Sequence, residues 1–296
     1  MARSTATTQT QSPMPVPASG SRSARRGADA DPSTLLVVGL QLTVAAVVLG
    51  TWEALIRFGV ADPLIFSSPV RIAERMVEML GGEIIYGRTI YNHLGATLQQ
   101  IAIGYVTGSI VGIAGGYLLG RSRIALGILE PYILALFSIP KIALAPLFIV
   151  VLGIGLWSRV GIVFIEVFFV VFFNVLRGVL DVNREYVNIA RIMGASRSQL
   201  TRRVILPAAL PSILLGLKVG VPFAMIGAVL GEYIASNHGI GWLILYSSNS
   251  FDASGVWASI LFLVIITWVL SRIAAIVEAR ALRWQPQRRG RAVAIA

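Results

Sequence analysis

"RIMGASRSQLTRRVILPAALP", Arg191–Pro211, carries four arginines, no acid, one glycine and two prolines. On both sides of it the chain turns apolar. Pro211–Ile234 contains only Lys218 and Glu232 as charged residues, and Val160–Leu176 contains only Glu166. A membrane-crossing helix needs about 20 mostly apolar residues, so the basic segment is a connection between two spans. Its residues then say which side of the membrane it occupies and what shape it takes.

Further spans follow outward. Pro32–Trp52, Thr89–Gly120 and Ala253–Ser271 hold no Asp, Glu, Lys or Arg. Ile124–Ile154 is apolar apart from Glu130 and Lys141, and Pro140 and Pro146 interrupt it. We read one discontinuous span there, with two short ones as the alternative. The fold expected is an all-α membrane protein with six transmembrane helices. Composition agrees: 56% of the chain is hydrophobic and 13% charged, against roughly 25% charged in soluble domains.

Arginine placement sets the orientation, because cytoplasmic loops collect positive charge. Arg121 and Arg123 follow the second span. Arg177, Arg184, Arg191, Arg197, Arg202 and Arg203 follow the fourth, and Arg280, Arg283, Arg288, Arg289 and Arg291 follow the sixth. The alternate connections are poor: residues 235–252 hold no Lys or Arg. Both termini are therefore expected in the cytoplasm. Residues 1–33 read as a disordered cytoplasmic tail, 34–285 as the transmembrane domain and 286–296 as a basic tail. A net charge of +11 is assigned to this membrane sidedness and to contact with lipid, not to nucleic acid.

Between the first two spans, "SSPVRIAERMVEML" fits a short amphipathic helix lying on the outer surface. Ser68 suits its cap and Pro69 its first position, with Ile72, Ala73, Met76, Val77 and Leu80 on one face. Within span two, Gly104, Gly108, Gly112, Gly116 and Gly120 stand four residues apart, and span five repeats the device with Gly216/Gly220 and Gly227/Gly231. Small-residue stripes let backbones approach closely in lipid, so these glycines are expected to pack helices. Charges at membrane depth cost on the order of 2.5–3.5 kcal/mol and usually face protein or a water-filled path. Pro140, Lys141, Pro146, Glu166, Lys218 and Glu232 are the candidates for such a path. Glu166 and Lys218 are expected to pair with each other or with Lys141, whereas Glu130 and Glu232 are expected to reach the interface.

The basic connection, about 184–210, resolves into two helices. "REYVNIARIM" has an apolar face, and Gly194 is placed to stop it. Ser196 and Gln199 have the spacing of a capping box, and Pro207 and Pro211 are expected to end the second helix before span five. In this form the segment resembles the coupling loop of binding-protein-dependent ABC transporter permeases: Glu-Ala-Ala, three residues, Gly, nine residues, Ile-x-Leu-Pro. Asn188-Ile189-Ala190 stands at the triplet, Gly194 at the glycine, Val204 at the isoleucine and Leu206-Pro207 at the end. The spacing is kept, while the triplet departs from the pattern at Asn188 and Ile189. "HLGATLQQIAIGYVTGSIVGIAGGYLLGRSR", "SIPKIALAPLFIVVLGIG" and "GEYIASNHGIGWLI" also resemble the nitrate/sulfonate/taurine subgroup, over roughly residues 60–285.

The resemblance implies a type I ABC importer permease in a bacterial plasma membrane. It implies a second permease copy, two ATP-binding subunits carrying ATP and Mg, and an extracytoplasmic substrate-binding protein. Asn188, Ala190, Arg191, Gly194, Ala195, Ser196, Gln199, Leu206 and Pro207 would couple to the ATPase. The substrate expected is a small solute, an anion such as a sulfonate, taurine or nitrate, with a thiamine-precursor pyrimidine as the alternative. The residues themselves exclude several roles for this chain. It has no G-x-x-x-x-G-K-[ST] loop, no cysteine and only two histidines, His93 and His238, so neither ATP hydrolysis by that motif nor a Cys/His metal site is expected. An ion-coupled secondary transporter would be another six-span bundle with a broken helix, but would leave the loop's spacing unexplained.

Overall fold

The computed structural model describes residues 34–60 and 62–283. Both terminal tails lie outside the described residues, as do the two termini whose sidedness the sequence suggests. By its contacts the chain divides into two units, 1–48 and 49–296. In chain order the helices are α1 (Thr34–Arg57), α2 (Pro63–Phe66), α3 (Pro69–Leu80), α4 (Ile90–Gly120), α5 (Arg123–Ser138), α6 (Ala145–Leu152), α7 (Leu156–Leu180), α8 (Arg184–Ile192), α9 (Arg197–Leu200), α10 (Leu206–Ala235), α11 (Ile240–Asn249) and α12 (Ala253–Ala281). A 3₁₀ turn, Lys141–Leu144, precedes α6, and a π turn, Thr201–Ile205, precedes α10. No strand occurs among the described residues; a single bridge joins Ile85 and Arg88 around Tyr86-Gly87, both at positive φ.

Five helices are long and apolar enough to cross a membrane, and the pair Arg123–Ser138 and Lys141–Leu152, bent by 85°, makes a sixth span. The bend follows from Pro140. Ile139 before it is extended (φ −67°, ψ 128°), the conformation that a following proline imposes. Pro140 itself has no N–H to continue the ladder.

The glycine stripe of α4 meets a matching stripe on α7. A Cβ added to Gly104, Gly108, Gly112, Gly116 or Gly120 would lie 2.6, 3.1, 3.1, 3.0 or 2.9 Å from the Cβ of Val163, Val167, Val171, Val175 or Val179 respectively. Both series rise together, so α4 and α7 run parallel. The chain between them must then return to its starting side, which makes α5–α6 one broken span. On the other face of α7, Gly216 meets Asn174, Gly227 meets Val163 and Gly231 meets Arg159. These pairs run in opposite directions, so α10 is antiparallel to α7. Helix α7 is thus gripped from two sides by backbone, and Val163, Val167, Val171 and Val175 are fully buried. The apolar faces of α12 and of the bent pair stay largely exposed, as expected where the surrounding medium is hydrocarbon.

Two expectations need correction. Pro207 and Pro211 do not end a helix: residues Arg197–Ala235 form one continuous element of 39 residues. The π turn explains this, because Leu206 N donates to Thr201 O. The extra residue in that turn makes room for the Pro207 ring against the preceding carbonyls, and the helix proceeds. In α3, Ser68 does cap the helix through Arg71 N at 3.3 Å. Its buried residues, however, are Ile72 and Met79, with Met76 half-buried. Ala73, Val77 and Leu80 are exposed, because it is the 72–76–79 stripe that packs into the hydrophobic core.

Candidate functional site

The segment from α8 to the start of α10 has a shape fixed by helix caps and by one bond to α4. Asn183 caps α8, its Oδ1 accepting from Glu185 N at 2.9 Å. At the other end Gly194 takes φ +77°, a conformation that costs an ordinary L-residue roughly 1–2 kcal/mol. There Ala195 N donates to Ala190 O and Gly194 N to Arg191 O, both at 3.0 Å. These two bonds are the Schellman closure of a helix C-terminus. The next residue opens a capping box: Gln199 N donates to Ser196 Oγ at 3.3 Å, and Ser196 N to Gln199 Oε1 at 2.8 Å. Tyr117 at the end of α4 then donates to Thr201 Oγ1 at 2.9 Å, pinning the loop to the bundle. Leu206 and Pro207 lie in the unbroken helix beyond.

Ala190, Arg191, Gly194, Ala195, Ser196 and Gln199 therefore hold the turn. Asn188, Arg191, Gly194, Ser196 and Gln199 are exposed, and beside them the turn presents large apolar residues absent from the sequence-derived set. Tyr186, Ile189, Ile192 and Met193 are 61%, 55%, 87% and 81% exposed, an apolar stripe on the outer face of α8. Their spacing at i, i+3, i+6 and i+7 was the available signal. Asn188 and Arg191 lie on the opposite face, lining a cleft against the α4–α5 turn.

The six candidates at membrane depth fall into three places. Pro140 and Lys141 form the bend, where Lys141 Nζ stands 3.6 Å from Glu166 on α7 and 4.8 Å from the Phe137 ring centre. Pro146 does not interrupt the span but sits in the first turn of α6, where a helix needs no N–H. Alongside the bend, a cavity of about 620 Å³ lies between α5 and α7, lined among others by Glu130, Phe137, Asn174 and Arg177. Lys218 is elsewhere: it pairs with Glu278 of α12 at 2.9 Å, because α10 turns that side away from Glu166. Glu232 does not reach an interface but is fully buried. It accepts from Thr97 Oγ1 at 2.7 Å, from Gln100 Nε2, and from Gly241 N at 2.5 Å. Thr97 Oγ1 also accepts from Ile240 N, and His93 Nδ1 from Gly239 N. Glu232 thus anchors the start of α11, which folds back over it. Among the described residues no group of three or more His, Asp or Glu is placed to hold a metal ion.

Comparison with known proteins agrees with this architecture. The formylaminopyrimidine transport permease protein ThiX of Halalkalibacterium halodurans is 34% identical over 72% of this chain and 82% of its own. The taurine transport system permease protein TauC of Escherichia coli is 30% identical over 83% of this chain and 90% of its own. The fold is that of a chain of the inward-facing MetNI methionine ABC transporter, with a TM-score of 0.54 at 19% identity over 70% of this chain and 98% of that one. Residues 76–283 match the family described as binding-protein-dependent transport system inner membrane component, and the chain belongs to that family.

Proposed function

We propose that this inner membrane component is the permease subunit of an ATP-driven importer, and that α8 and its turn carry the motion of a cytoplasmic ATPase into the membrane. The observation that carries the reading is the continuous Arg197–Ala235 helix. At about 1.5 Å per residue it is a lever of about 58 Å, long enough to cross the bilayer. It is capped at the loop by Ser196 and gripped along its length by α7. A partner that displaces the turn must displace α10 with it. The exposed Tyr186, Ile189, Ile192 and Met193 suit the groove of such a partner, and ATP with Mg belongs to that subunit in this reading. A second permease copy would complete the path, and an extracytoplasmic binding protein would deliver the solute.

For the path wall we propose the bent α5–α6 span with Lys141 and Glu166. Lys141 suggests an anion when read alone, but its charge is balanced by Glu166 at 3.6 Å. A balanced pair suits a zwitterion such as taurine or an uncharged aminopyrimidine as well as it suits an anion. The chemical class we favour is therefore a small solute of low net charge. The test is uptake by the reconstituted complex, driven by ATP without an ion gradient, of taurine and of formylaminopyrimidine in parallel. Ile189→Glu with Ile192→Glu should leave membrane insertion unchanged and abolish co-purification of the ATPase. ATP-independent uptake driven by an ion gradient would overturn the proposal.

A further inference from the structure

The inner face of α8 closes a cleft of about 920 Å³ against the α4–α5 turn, and its rim is built of Arg121, Arg123, Arg184, Arg191 and Arg197. Among the described residues none of the five makes an ion pair within 4.0 Å. No carboxylate lines the cleft among the described residues. The two acids nearest in sequence point elsewhere: Glu185 bonds Asn183, and Asp181 lines the cavity between α5 and α7. All five arginines are exposed, and Arg121 lies over the Tyr117 ring at 5.6 Å; the cleft they border carries positive charge that an anion placed in it would offset. Arginine forks match phosphate oxygens two at a time.

The floor of the same cleft is apolar, formed by Val179, Val182, Val187, Leu200 and Ile205. Free inorganic phosphate has no use for such a floor, and it would fill only a small part of the volume. The position is decisive. Arg121 and Arg123 flank the point where α4 ends and α5 begins, at the boundary of two apolar spans and on the arginine-rich side of the protein. That side faces the leaflet whose acidic lipids attract basic segments. We infer that this cleft binds the headgroup and glycerol region of an acidic phospholipid, and that the lipid braces α8 against the bundle from the side opposite its exposed apolar stripe. Asn188, on the cleft-facing side of α8, keeps that wall free of the negative charge that a glutamate would bring to it.

The experiment uses the assembled full-length transporter purified from bacterial membranes, with bound lipid identified by native mass spectrometry. Phosphatidylglycerol should be retained in preference to phosphatidylethanolamine. Near a membrane surface each arginine strengthens acidic-lipid binding by roughly fivefold. The triple variant Arg121→Gln, Arg123→Gln, Arg184→Gln should therefore bind phosphatidylglycerol about a hundredfold more weakly, while the corresponding triple lysine variant should keep most of the binding. If the triple glutamine protein fails to assemble, the three single variants give the same reading at about fivefold each. Equal retention by wild type and glutamine variants would overturn the inference. So would displacement of the lipid by inorganic phosphate at matched concentration, which marks a free-anion site. Lipid that is present only when the ATPase is stripped away would assign the cleft to the partner protein instead.

Discussion

Glu232→Ala tests the assignment of Glu232 to anchoring α11. In the wild type the carboxylate accepts from Thr97 Oγ1, Gln100 Nε2 and Gly241 N, all in a region closed to solvent. Truncation leaves Thr97 an alternative acceptor in His93 O at 3.1 Å. It leaves the Gln100 amide and the Gly241 N–H with none. A buried donor without an acceptor costs about 1–3 kcal/mol, so the two together cost about 2–6 kcal/mol. Glu232→Gln restores one carbonyl acceptor of nearly the same shape and should lose about half as much. The assay is the fraction of detergent-solubilised protein that stays monodisperse after heating, combined with limited proteolysis at residues 236–239, where opening of α11 would first be felt. Glu232→Ala should melt well below wild type and be cut early in that loop, with Glu232→Gln between them. A Glu232→Gln protein that melts like wild type yet transports nothing would refute the reasoning and return this residue to the solute path.

Gly116 and Gly220, one from each stripe, respond differently to a methyl group. Gly116→Ala would place its Cβ 2.6 Å from Phe172 O and should destabilise by about 1–3 kcal/mol; Gly220→Ala meets only ordinary contacts from 3.4 Å outward and should melt like wild type. Lys141→Met strands a buried Glu166 charge and should cost about 3–5 kcal/mol. Adding Glu166→Leu should recover most of the loss in the same melting assay, and failure to recover would argue against the 3.6 Å pair. At Gly194 a side chain meets nothing within 4 Å, so only the backbone at φ +77° matters. Gly194→Val should therefore lose ATPase co-purification and uptake, while Gly194→Asn, which tolerates that conformation, should keep both.

Much of this fold is written locally. The spans, the break at Pro140, the Gly194 stop and the Ser196/Gln199 box are each decided within a few residues, so they could be read directly. The stripe on α4 was equally visible. Its partner was visible too, since Val163, Val167, Val171, Val175 and Val179 keep the same four-residue interval, but glycine draws attention as an anomaly and valine in an apolar span does not. Pro207 misled because a π turn has no signature in composition, and it lets a helix pass a proline that would otherwise break it. Glu232 misled for another reason. Its distance from the span end suggests an interface, and only the return of α11, a tertiary event, closes it off. The loop's geometry was legible while its exposed apolar stripe was not, because capping residues have named chemistry and an exposed Ile189 has none.

The glycine–valine ladder also limits how the protein can move. Each valine seats in a gap that recurs only every fourth residue of α4, an interval of about 6 Å along the axis. A smaller slide would drive valine methyls into longer side chains at every rung together. Helices α4 and α7 therefore cannot act as pistons against each other and travel as one block. Any rearrangement that opens one side of the membrane and closes the other must be taken up where the contacts are not toothed, at the bent span and at α12.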